Sequence, residues 1–123
     1  MERYLTTLNS LTSEFDARVG RLLDHARSQG LSGVVLFDNF HILYLAGFAF
    51  IPTERPIVFA MNAAGERVLV VPRLEVERAE KLARVDRIES YLEYPGRPHP
   101  TDKLKKVLAD LGIAGRIGVD TDG

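Results

Sequence analysis

The chain of 123 residues contains no cysteine. That excludes a disulfide framework, a thiol nucleophile and a zinc–thiolate site, and it fits a reducing cytosol, so a cytoplasmic protein is expected. No apolar run approaches the ~20 residues of a membrane span. The opening MERYLTTLNS lacks the apolar core of a signal peptide. An excess of charge is missing too. The formal net charge is −1, which argues against nucleic acid or an anionic membrane as the main partner. There is no HExxH, no P-loop and no GxSxG. Gly115, Gly118 and Gly123 do not make a dinucleotide fingerprint. Neither an internal repeat nor a low-complexity segment is present.

What remains is an ordinary globular composition, 46% hydrophobic and 27% charged. The length suits one domain, which at this size buries roughly two-thirds of its unfolded surface and needs no staple. Phe15, Val19, Leu22, Leu23 and Ala26 recur at the spacing of one helical face. They predict a helix from about Ser13 to Gln29, capped by Ser13 with Asp16 reaching back and ended by Gly30. Residues 1–12 are weakly patterned and read as a loose or packed arm.

Gly33 to Phe37 is apolar on both faces, as a central strand of an α/β sheet is. Pro56–Met61 and Glu66–Val71 are further strands, joined by a tight turn at Asn62-Ala63-Ala64-Gly65. Pro72 ends the third strand and opens a helix over Leu74–Ala83. Val85–Tyr91 is a fourth strand. The prolines of Tyr94–Pro100 impose a loop. Thr101 caps a last helix with Leu104, Val107, Leu108 and Leu111 on its apolar face, ended by Gly112. Arg116–Val119 is a short final strand. Interleaved strands and helices predict an α/β fold, a mixed sheet of about five strands flanked by helices.

The connection FDNFHILYLAGFAFIPTERP, Phe37 to Pro56, is long for a compact domain and concentrates the candidate chemistry. Asp38 either caps the short helix that follows or faces a ligand at the end of the strand, and the two roles are compatible. His41 reads as a surface or capping contact. Tyr44, among Ile42, Leu43 and Leu45, reads as a core tyrosine with its hydroxyl tied to backbone. Phe48 and Phe50, beside Gly47, are either core or an apolar patch awaiting a partner. Arg55 is either a surface charge paired weakly with Glu54 or a guanidinium offered to a substrate carboxylate. Nothing brings His25, His41 and His99 together as a metal site. Asp120 and Asp122 read as a solvated chain end rather than as cation ligands.

Ile42-Leu43-Tyr44-Leu45-Ala46-Gly47-Phe48 resembles the asparagine-isoleucine-x-tyrosine-leucine-threonine-glycine-phenylalanine segment of the creatinase/prolidase N-terminal domain. The resemblance runs along nearly the whole chain, through Glu54-Arg55-Pro56, Leu69-Val70-Val71-Pro72-Arg73-Leu74-Glu75 and Ile117-Gly118-Val119-Asp120. His41 and Ala46 depart from the family's usual asparagine and threonine or serine. The resemblance implies a ribonuclease H-like motif and one domain over residues 1–123. It implies that this domain is the non-catalytic half of an Xaa-Pro dipeptidase-like, pita-bread metallopeptidase, inactive by itself. Two divalent ions (manganese, cobalt or zinc) would belong to an absent C-terminal catalytic domain. The implied partners are that domain, a second copy in a homodimer, and a proline-containing dipeptide or short peptide. Arg55, Asp38 and His41 become candidate substrate contacts, while Tyr44, Gly47 and Pro72 become scaffold. A non-catalytic protein-interaction module, docking through Phe48-Ala49-Phe50-Ile51, is the alternative, as is the N-terminal domain of a creatinase-like C–N hydrolase.

Overall fold

In the computed structural model, residues 2–52, 55–92 and 100–120 are described, with side chains from Glu14 onward. Glu54, the loop before Pro100 with His99, and Asp122 lie outside the described residues. The elements are α1 (Glu2–Ser28), β1 (Gly33–Leu36), α2 (Asn39–Ala46), β2 (Val58–Asn62), β3 (Arg67–Pro72), a 3-10 turn (Arg73–Glu75), α3 (Val76–Leu82), β4 (Arg87–Tyr91), α4 (Pro100–Leu111) and β5 (Ile117–Val119).

Two helix caps differ from expectation. The first helix begins at Glu2, so Ser13 lies inside it rather than at its cap. Residues 2–13 hold neither glycine nor proline, and a local capping signal does not stop a helix that nothing breaks. Likewise α4 starts at Pro100, with Thr101 already inside. Proline's fixed φ suits a first helical position, and the N–H it lacks has no partner to lose there. The helix after β3 opens with a 3-10 turn at Arg73, immediately after Pro72.

The strands form one mixed sheet in the order β4-β3-β2-β1-β5. β1 runs antiparallel to β2, with Val34 opposite Met61 and Val35 opposite Ala60. It runs parallel to β5, with Val34 opposite Gly118. β3 is antiparallel to β2 and parallel to β4. Alternation along β1 sends Val34 and Leu36 to one face and Val35 to the other. The first face packs on Val19 and Ala26 of α1, Ile42 and Leu45 of α2 and Ala79 of α3. The second packs on Val107 and Leu111 of α4. Burial on both faces explains the unbroken apolar run in β1.

Asn62, 8% exposed, organises the β2–β3 turn. Its Oδ1 accepts from the amides of Ala64 and Glu66 at 3.1 and 2.9 Å. Its Nδ2 donates to the carbonyl of Leu111 at 3.0 Å, which fastens the turn to the end of α4. No described helix is long and apolar enough to cross a membrane.

Candidate functional site

The connection from β1 to β2 divides into two places rather than one. Its first half is α2. The Asp38 carboxylate accepts from the amides of Phe40 and His41 at 2.8 and 3.2 Å, capping the helix as its position suggested. Gly47 ends α2 at φ 72°, where its N–H returns to the Leu43 carbonyl at 2.9 Å. The left-handed conformation is one that glycine enters without cost.

Tyr44 is not a core residue. Its side chain reaches toward α1 and the residue is 48% exposed. The Arg18 guanidinium lies 4.3 Å from its ring centre and donates to its carbonyl at 3.0 Å. Arg21 donates to its hydroxyl at 3.2 Å. Tyr44 therefore joins α2 to α1 through cations, a pairing invisible while the two helices are read separately.

Asp120 also differs from expectation. It is no solvated end, since its side chain is only 7% exposed. It accepts from the amides of Phe37 and Asp38 at 2.8 and 2.9 Å, and His41 Nδ1 lies 3.0 Å away. Burial pushes the carboxyl up, but the two amides and the His41 ring outweigh it and hold the group below its ordinary range. An ionised carboxylate only accepts, so the proton in that contact sits on His41 Nδ1 and leaves Nε2 to other partners.

The second half of the connection leads to Arg55. This exposed residue lines a cleft of about 390 Å³ with Phe50, Ile57, Pro72, Glu75 and Arg78. Ile51 and Leu74, 85% and 77% exposed, form apolar lips. The segment is held at two points. Arg78 Nη1 donates to the Ala49 carbonyl at 2.6 Å while the same guanidinium lies over the Phe48 ring and bonds Glu75. The Tyr91 hydroxyl donates to the Pro56 carbonyl at 2.7 Å, next to Arg55. Arg78 and Tyr91 escaped the sequence reading, because each acts across elements far apart in the chain.

Arg55 and His41 thus line different hollows, and Asp38 sits at the start of the helix that carries His41. The expected patch Phe48-Ala49-Phe50-Ile51 is not contiguous. Phe48 is 0% exposed and part of the core, Phe50 is half-buried, and only Ala49 and Ile51 are exposed. Among the described residues no three histidine or acidic side chains converge as metal ligands.

A structure of a proline dipeptidase from Streptococcus pneumoniae is similar at 32% identity and a TM-score of 0.72, over 85% of this chain and 74% of that one. The creatinase/prolidase N-terminal domain of an X-Pro dipeptidase from Streptococcus pyogenes matches at 28% identity and a TM-score of 0.66, over 75% of this chain and 67% of that one. The dipeptidase PepE from Mycobacterium ulcerans shares the fold at 22% identity and a TM-score of 0.72. The match spans 91% of this chain but 30% of that one. No curated protein matches. The family model described as creatinase/prolidase N-terminal domain matches residues 18–123, and this chain, with its five-stranded mixed sheet and flanking helices, belongs to that family.

Proposed function

We propose that this chain is the non-catalytic N-terminal domain of an Xaa-Pro dipeptidase-like metallopeptidase, contributing substrate gating and subunit contacts while a separate domain performs the chemistry. The family match across residues 18–123 carries the reading, and the 32% identity to a proline dipeptidase supports it. The two divalent ions of the parent reaction, manganese, cobalt or zinc, are assigned to that other domain. The further partners in this reading are a second copy of the protein and a proline-containing dipeptide or short peptide.

Arg55 is the residue proposed to meet substrate. A guanidinium always carries its charge and matches a carboxylate with paired N–H donors. The apolar lips of Ile51 and Leu74 suit the hydrocarbon part of a small peptide. The ties from Arg78 and Tyr91 restrict the backbone on either side of Arg55, so less freedom is lost on binding. With Phe48 buried, the interaction-module alternative would rest on the exposed Ala49 and Ile51.

The test is kinetic. In a protein joining this domain to its catalytic domain, Arg55→Ala is expected to lower kcat/KM for an Xaa-Pro dipeptide by about tenfold, mainly through KM, as loss of a charge-assisted contact does. The unfolding midpoint should shift little, since contacts of an exposed side chain contribute at most about 1 kcal/mol. Unaltered kinetics would return Arg55 to an ordinary surface charge.

A further inference from the structure

A hollow of about 440 Å³ lies between α1 and α2, apart from the Arg55 cleft. Its volume falls within the usual range of small-molecule sites. Its floor is apolar, with Leu36 and Leu45 at 8% and 5% exposure. Its polar lining carries two guanidinium groups, Arg18 and Arg21, with His25 beside them on α1 and His41 and Tyr44 on α2. The Asp120 carboxylate also borders it, but its oxygens are engaged by two backbone amides and His41. Arg18 is engaged as well, by Glu14 and by the ring and carbonyl of Tyr44.

Arg21 stands apart from these. Among the described residues its one hydrogen bond goes to the Tyr44 hydroxyl, and no carboxylate pairs with it. A guanidinium carries five N–H donors, so most of its capacity faces the hollow and solvent. His41 adds a polar contact through Nε2, because Nδ1 is committed to Asp120. A charged head at Arg21 and an apolar body against Leu36 and Leu45 would satisfy both surfaces.

We propose that this hollow binds a small apolar carboxylic acid as its anion, with Arg21 as the anchoring cation. The site is independent of the Arg55 cleft and of the function proposed above. Phenylbutyrate is a suitable probe and uncharged phenylbutyramide its control, with heteronuclear NMR of the 123-residue chain as the readout. The acid should give saturable shifts at the amides of Arg21, Leu22, His41 and Tyr44. The amide analogue should bind about tenfold more weakly, the scale of a lost charge-assisted hydrogen bond. Arg21→Gln should weaken the acid by a similar factor, while Lys81→Gln, on the exposed face of α3, should not. Should Arg21→Gln fail to fold, the comparison of acid with amide on the unaltered chain decides. Shifts that do not saturate, equal binding of acid and amide, or shifts confined to residues around Arg55 would overturn the proposal.

Discussion

Asp120 shows how one side chain can close a fold locally. It receives the amides of Phe37 and Asp38 at the end of β1 and holds the His41 ring at the start of α2. An asparagine there offers one accepting oxygen and turns an N–H toward a donor. Asp120→Asn should therefore cost about 1–3 kcal/mol, the usual penalty for a buried hydrogen bond left unmade. Urea unfolding measures it. The pH dependence has a definite sign. The folded carboxyl titrates below its ordinary value of 3.8, so its stabilisation is complete above that value and lost as pH falls through the lower, folded one. The difference between the unaltered chain and the variant should shrink as pH falls below the ordinary carboxyl value of 3.8. A difference that persists undiminished would contradict this. Asp38 as a cap was legible because capping is local. Asp120 was not, since its role exists only after β5 has paired in parallel with β1 and brought the two strand ends together.

At the scale of elements, strands were easier to read than helix starts. β1, β2 and β3 announce themselves by apolar runs because both sheet faces are covered. The starts of α1 and α4 were misplaced because capping residues also occur inside helices, where packing and continuity override them. Two glycines give a contrasting pair of predictions. At Gly33 an added Cβ would lie 2.5 Å from the Met61 carbonyl oxygen and 2.8 Å from Ile113, between β1, β2 and the segment after α4. The Met61 backbone is fixed by the sheet, so Gly33→Ala should cost at least the ~1–3 kcal/mol typical of overpacking. At Gly47 the neighbour is the ring edge of Phe15 at 3.2 Å, and the principal cost is the left-handed backbone. Gly47→Ala should lose about 1–2 kcal/mol. Thermal and urea unfolding should rank Gly33→Ala as the more damaging, and the reverse order would mean that β1 and β2 can separate without penalty.

At the scale of the whole molecule, the order of motifs along the chain carried the family, since it survives changes in single residues such as His41 and Ala46. Arg55 was legible as a candidate, but its cleft was not, because Leu74, Glu75 and Arg78 come from the turn and helix after β3. The hollow beside Arg21 was illegible for the same reason, being made by two helices that touch only in the folded chain. In this account the domain shapes access to a reaction whose bases and ions lie in another domain. The most direct test is to assay the purified 123-residue chain, separately loaded with manganese, cobalt and zinc, against Xaa-Pro dipeptides. No hydrolysis above the metal-only blank is expected. Metal-dependent turnover that co-purifies with the folded chain would contradict it.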